Sequence, residues 1–429
     1  MTPSPGGAAR DAEWSPAPSG GQPPPPPPAP VASGLLQRAT PERDLAVWLG
    51  LFIASALTMG VGTPPMGIVG ALLACVGTLA LTLRWHLPWL AVLTLVAVGI
   101  SLRAGAAYGG FSDVMQVIQA AVRLASAGGN PYGVGYPESF PPGAPYAYGP
   151  VALAWYWPAV DNPKGFELLL ACGMVAVLGI RGRVLGLAVY AVLAPLLVTA
   201  ADGSNDTSAG IVLLIALLVA QRSPIAGGFL LAIAAAFKPY AAAWLPPLMA
   251  YGGIVWPLLA FLLGSVLTWG PAALWWSPSS ILRSFRDADA VHVTPYYSLG
   301  WVAGGANVMP EWMWQLLRLG IGALIAIVGS FQVRSARSFV VTGAVIYAAT
   351  LFTGWWSTFA YLAALAPIVC WHLDDWAGLG HQRARWPGDP VGRFTDWVDA
   401  RWPVHRPWPP VTMPPATSGA GTHHSHGFR

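Results

Sequence analysis

The sequence predicts an all-α, polytopic membrane helical bundle, and three observations carry that expectation. Charged side chains are only 9% of the 429 residues, against about 25% in an ordinary soluble domain. Hydrophobic residues reach 55%. Several uncharged stretches approach the roughly 20 residues needed to cross about 30 Å of hydrocarbon.

Taken in order, residues 1–43 are rich in Pro, Gly and Ala and contain the run Pro23 to Pro28. Such a segment buries too little apolar surface to offset its ordering entropy, and it is expected to be a disordered cytoplasmic tail. It has no apolar core ahead of a cleavage site, so it does not read as a signal peptide. Residues 44–372 are expected to form the membrane-embedded domain. Spans are placed near 45–62, 66–83, 88–107, 163–180, 184–200, 207–221, 252–270, 312–331, 338–353 and 356–372. Counting the stretch 225–250, this makes about 11–12 crossings. Residues 373–429, rich in Pro, Trp and Arg, are expected to be a second, largely disordered cytoplasmic tail. Its His423, His424 and His426 read as solvated.

The stretch 225–250 is either one long tilted helix or two half-spans meeting at Lys238-Pro239, where proline breaks the hydrogen-bond ladder. Charge sorting favours the half-spans. With both tails and the turns at Arg84, Arg181/Arg183, Arg222 and Arg334/Arg337 inside, most of the 22 basic residues fall on the cytoplasmic side. That solution needs 225–250 to enter and leave by one face. The predicted setting is therefore the plasma membrane, multi-pass, with the polar site facing outside. The basic residues are 20 Arg and two Lys, without the basic face of a nucleic-acid binder, so no nucleic-acid partner is expected; the expected surroundings are membrane lipids. Cys75, Cys172 and Cys370 lie singly in apolar runs, and no metal-ligand spacing is present.

Two long outer segments, 108–162 and 271–310, are rich in Tyr, Trp and Pro. Long loops inside a compact domain are commonly functional. In the first, Ser112 and Asp113 suit a helix start, and Val117, Ile118, Ala121, Val122 and Leu124 recur at helical spacing, predicting an amphipathic surface helix. It stops at Gly128-Gly129-Asn130-Pro131-Tyr132. After Tyr146-Ala147-Tyr148-Gly149-Pro150, the apolar piece Val151–Val160 is fenced by Pro150 and Pro158 and predicts a second short surface helix.

This order of an acid-headed surface helix, a Gly-Asn-Pro-Tyr turn and a Tyr-x-Gly-Pro segment resembles the GT-C superfamily of integral-membrane glycosyltransferases. It is most similar to bacterial polyprenyl-phosphate-mannose-dependent mannosyltransferases. Ala201-Asp202-Gly203-Ser204-Asn205-Asp206 before a span, and Ala226-Gly227-Gly228 leading to Lys238-Pro239, extend the likeness over roughly residues 88–370. The chain departs from it at Tyr148-Gly149-Pro150, where relatives often carry Tyr-Pro-Pro.

The resemblance implies a hexosyltransferase that moves a sugar, mannose by likeness, from a polyprenyl-phosphate donor to an extracytoplasmic glycolipid or polysaccharide acceptor, with inversion and no cofactor. Asp113 stands where the family has its general base; by itself it is a helix-start carboxylate or a proton acceptor. Lys238 is either a cavity lysine facing the donor phosphate or one that snorkels to the interface. Arg123 reads as a phosphate ligand or a lipid-facing arginine. Asp202, Asn205 and Asp206 orient sugar hydroxyls or cap the next helix. His292, Tyr148, Tyr296 and Tyr297 suit sugar or acceptor contacts, the tyrosines equally a membrane interface. Two alternatives remain open: a transporter or lipid flippase, and a non-catalytic membrane scaffold.

Overall fold

The computed structural model describes residues 88–107, 113–139, 142–290, 296–358, 360–377 and 390–405, all within one unit, Thr40–Arg429. The expected tail 1–43, the first two expected spans and His292 lie outside the described residues. Among the described residues the chain is mostly helical, with one two-stranded ladder.

The chain runs from α1 (Pro88–Ala107) into the surface helix α2 (Asp113–Ser126). The apolar spacing of α2 buries Met115, Val117, Ile118, Ala121 and Val122, as the sequence pattern requires. Strands β1 (Gly135–Tyr136) and β2 (Ala144–Pro145) pair antiparallel. Pro150 then starts α3 (Pro150–Tyr156), which tightens into a 3-10 turn, Trp157–Ala159, at Pro158. This is the second short helix that the two prolines predict.

Next comes α4 (Pro163–Ile180), capped by Asn162, whose side chain accepts from the Gly165 N–H at 2.8 Å. The span expected over 184–200 is two helices, α5 (Val184–Val192) and α6 (Ala194–Asp202), broken at Leu193. Pro195 has no N–H, so the turn before it loses partners for its carbonyls. Arg103 of α1 replaces them. Its guanidinium donates to Ala191 O at 3.1 Å and to Tyr190 O, and stands 4.7 Å above the Tyr190 ring. A wholly buried arginine thus serves a broken helix.

After α7 (Asp206–Ala220), α8 (Pro224–Phe237) stops at Lys238, which is extended; a 3-10 turn, Pro239–Trp244, leads into α9 (Leu245–Gly252). The segment doubles back on itself. A Cβ on Gly252 would lie 2.1 Å from Pro224 Cβ, and the Tyr251 hydroxyl oxygen lies 3.1 Å from Gln221 O. The half-span arrangement at Lys238-Pro239 is therefore a hairpin that begins and ends at one end of the bundle.

The remaining helices are α10 (Val255–Trp276), α11 (Pro278–Ala290), α12 (Leu299–Ala303), α13 (Glu311–Ser330), α14 (Ala336–Phe352), α15 (Ala360–Trp376) and α16 (Pro390–Arg401). Two expectations need correction. The stretch 271–310, expected as a loop, is largely helical: α10 runs on to Trp276, and Pro278 restarts α11 after a left-handed Ser277. The stretch 373–429 is not wholly a loose tail. It contains the end of α15 and all of α16, which Arg222 holds through Asp399.

Among the described residues three helices, α4, α10 and α13, are long and apolar enough to cross a membrane. Other described apolar helices, such as α7, α8 and α14, are shorter, and α5 and α6 are separated by a break, so the described part of the expected series is a bundle of long, short and interrupted helices. Side chains on α10 and α13, such as Leu263, Val266, Leu319 and Leu324, stay exposed. The main core lies where α7, α8, α9, α14 and α15 meet, around Leu213, Leu217, Leu231, Trp244, Leu248, Phe339 and Ile368.

Candidate functional site

The tip of the hairpin carries the centre of the site. Lys238 leaves the end of α8 with its side chain 8% exposed and its Nζ 2.7 Å from Asp206 Oδ1, itself 3% exposed. Tyr240 OH donates to the same oxygen at 3.0 Å. Three rings surround the ammonium, with centroids 5.3 Å away in Tyr148, 5.5 Å in Tyr240 and 6.0 Å in Tyr361. Cation–π attraction and one ion pair thus offset the cost of a buried lysine.

Each wall of this cage is positioned by a local device. Asn130, in the Gly-Asn-Pro-Tyr turn, accepts from the Tyr132 N–H at 2.9 Å and donates to Trp276 O at 3.0 Å. That fixes Tyr132, whose hydroxyl donates to Tyr148 O at 3.1 Å. Tyr148 is then seated by its neighbour: the Gly149 N–H donates to Phe237 O at 3.2 Å, and a Cβ there would lie 1.8 Å from Ala236 O. A proline at 149 would lose the donor and collide with α8. Glycine at 149 is what lets this loop lie against the hairpin.

Asp113 opens α2 on the same side. Its Oδ1 accepts from the Val114 N–H at 2.8 Å. Burial holds the Tyr148 phenol well above its ordinary pKa, and the nearby charges of Asp206, Tyr361 and Asp113 raise it further. Of these causes Asp113 is the smallest. Gly203, left-handed at φ 72°, brings the two stretches together: a Cβ on it would lie 3.3 Å from Met115 Cγ.

Asn205 is wholly buried beside Asp206, and its amide oxygen and nitrogen have no hydrogen-bond partner. The Ser204 hydroxyl is likewise buried and unpaired. Buried polar atoms without partners are costly, so this corner suits water or a hydroxyl-rich ligand.

Arg123, Tyr296 and Tyr297 stand apart from the centre. Arg123 is exposed and paired with Asp161 at 3.2 Å on the surface, ten residues and about 15 Å along α2 from Asp113. It is not brought to Lys238. Asp202 ends α6 one residue before Gly203. Tyr296 and Tyr297 form a separate ring cluster with Trp301, at centroid distances of 6.2 and 5.8 Å. Tyr297 is in the left-handed region at φ 42°. Tyr296 bridges to Trp356, whose ring lies 6.3 Å from Tyr361 of the cage.

Sequence reasoning passed over three contributors. Tyr240 and Tyr361 gave no local signal, because the cage joins distant elements. Glu167 did leave one, as a lone acid inside an apolar span. It is buried on α4, accepts from the hydroxyls of Tyr156 and Ser208, and takes the Ser208 N–H at 3.1 Å. Trp155 donates to the Ser208 hydroxyl at 2.9 Å. Glu167 thereby pins α3 and the first turn of α7, two residues from Asp206.

Among the described residues no cluster of His, Cys, Asp and Glu has the makings of a metal site. Comparison of the chain with protein families, with curated proteins and with solved structures finds no match.

Proposed function

We propose that this protein is a membrane-embedded glycosyltransferase that moves a hexose, mannose by family likeness, from a polyprenyl-phosphate donor to a glycolipid or polysaccharide acceptor outside the plasma membrane. One observation carries the reading: a buried lysine is fixed by Asp206 inside a tyrosine cage, and Gly203, three residues before Asp206, lies against Met115 in the first turn of the helix that Asp113 opens. Leaving-group phosphate needs a positioned cation, and an acceptor hydroxyl needs a base; one site offers both.

In the proposed reaction the acceptor oxygen attacks the anomeric carbon and its proton passes to Asp113. The bond from that carbon to the phosphate oxygen breaks, and the electron pair leaves with the polyprenyl phosphate. Lys238 stabilises the charge that develops on that oxygen. Asp206 holds the ammonium with one of its three N–H donors, so a phosphate entering the cage meets a cation already in place. Asn205 and Ser204 suit the sugar's hydroxyls, and Tyr296 and Tyr297 the acceptor. Arg123, paired on the surface, is given no role in donor binding.

The test is transfer of radiolabelled sugar from polyprenyl phosphate by membranes that contain or lack the protein. Label that enters no acceptor in both preparations, across several donor sugars, overturns the reading.

A second reading has an observation in its favour. Two interrupted helices, α5/α6 and the α8–α9 hairpin, are the kind of element that transporters and flippases place around a substrate. Purified protein in liposomes that moves the lipid-linked sugar between leaflets without transferring it supports that alternative.

A further inference from the structure

The helix α16 lies outside the site and answers to a different surface. Its inner side is tied to the bundle: Asp399 pairs with Arg222, the His405 N–H donates to Gln221 O at 2.7 Å, and Tyr251 OH donates to His405 O at 2.7 Å. These are the residues that close the base of the hairpin. On the other side of α16 the aromatic side chains Phe394 and Trp397 are exposed. Phe394 and Trp397 stack at 5.9 Å, the Arg401 guanidinium stands 5.1 Å above the Trp397 ring, and Trp402 follows. At about 100° per residue, 394, 397 and 401 form one stripe and Asp396 and Asp399 lie away from it. Phe394 is 62% exposed and Trp402 62%.

The surroundings say what covers this stripe. Within a few residues of Gln221, Arg222 and Tyr251, the chain exposes Ile225, Ile254, Val255 and Trp256. The C-terminal part of α16 is therefore held at the base of the hairpin, beside the exposed apolar residues from which α10 starts. Tryptophan and phenylalanine beside an arginine that snorkels over a ring is the composition of a helix lying in a bilayer interface.

We propose that α16 is an interfacial anchor: Phe394, Trp397 and Trp402 enter the headgroup region of the bilayer and hold the base of the hairpin from the outside. The proposal rests on the membrane reading of α10 and α13, and its test separates the two. Single spin labels are placed at Trp397→Cys, Phe394→Cys, Asp396→Cys and Leu319→Cys, each with Cys75, Cys172 and Cys370 replaced by Ala. The full chain is reconstituted in phosphatidylcholine–phosphatidylglycerol bilayers, and collision with oxygen is compared with collision with a water-soluble nickel chelate.

Labels at 397 and 394 are expected to favour oxygen several-fold over nickel, at a shallower depth than 319, while 396 favours nickel. Labels at 397 and 394 as open to nickel as 396, with 319 still deep, overturn the anchor and leave the membrane reading standing. Labels at 397 and 394 shielded from both reagents also overturn it, since a protein partner or the chain's own tail then covers the stripe. A label at 319 open to nickel removes the membrane reading itself. The two aromatic positions are read separately, so loss of one ring to misfolding leaves the other measurement.

Discussion

Lys238 and Asp206 are each other's only charge partner among the described residues, in surroundings of rings and backbone. Breaking a buried pair by removing one member costs about 3–5 kcal/mol, whereas replacing both by apolar groups is often neutral. Lys238→Met is therefore expected to lower the melting temperature clearly, and Lys238→Met combined with Asp206→Leu to restore most of it. Sugar transfer should not return with stability in the double variant, falling about 10²–10³-fold as when a charge-stabilising donor is lost. Normal transfer by a stable double variant would remove Lys238 from the reaction. Asp113→Asn keeps an oxygen for the Val114 N–H and removes the proton acceptor. A fall in transfer of about 10²–10⁴-fold at unchanged melting temperature is expected; full activity in that variant would end the base assignment.

At the level of elements, the hairpin and the loop that covers it depend on one another. Gly149 is the contact point, since its N–H takes the carbonyl that α8 leaves over and its missing side chain makes the approach possible. Gly149→Ala forces a side-chain carbon to within 1.8 Å of Ala236 O unless the loop retreats, and the folded yield in detergent should drop sharply; a yield equal to the parent would mean the loop is not seated there. Arg103 plays the matching part for the α5/α6 break. Arg103→Leu strands the carbonyls of Tyr190 and Ala191, at about 1–3 kcal/mol for each buried group left unpaired. Thermal unfolding should show that loss, and Arg103→Lys should recover only part of it, because one nitrogen cannot reach both carbonyls with the same fork geometry.

For the whole molecule, the two ends of the bundle differ in chemistry. The arginine-bearing turns gather at one end, where Arg183 pairs with Asp375, Asp374 accepts from the N–H groups of Leu185 and Gly186, and Arg222 pairs with Asp399. The cage, α2 and the aromatic cluster are at the other. Positive charge is retained on the cytoplasmic side of bacterial-type membrane proteins, so the cage end is expected to face outward. A cysteine at Asp287→Cys, on the exposed side of α11, should react with an impermeant thiol reagent applied to intact cells. Labelling only after lysis would invert the orientation and take the acceptor reading with it.

Periodicity and proline placement by themselves determined the surface helices α2 and α3, most helix limits, and the break at Lys238-Pro239, because those depend on forces between near neighbours along the chain. A lone lysine in an apolar run also marked its own position, since burying a charge is costly wherever it happens. What only the tertiary structure decided is partnership. Nothing local brings Tyr148, Asp206, Tyr240 and Tyr361 around one ammonium, directs Arg103 to a break 88 residues away, or leaves Arg123 on the surface with Asp161. Those outcomes follow from which helices cross, and crossing is set by packing between segments far apart in sequence, where a period of three or four residues carries no information.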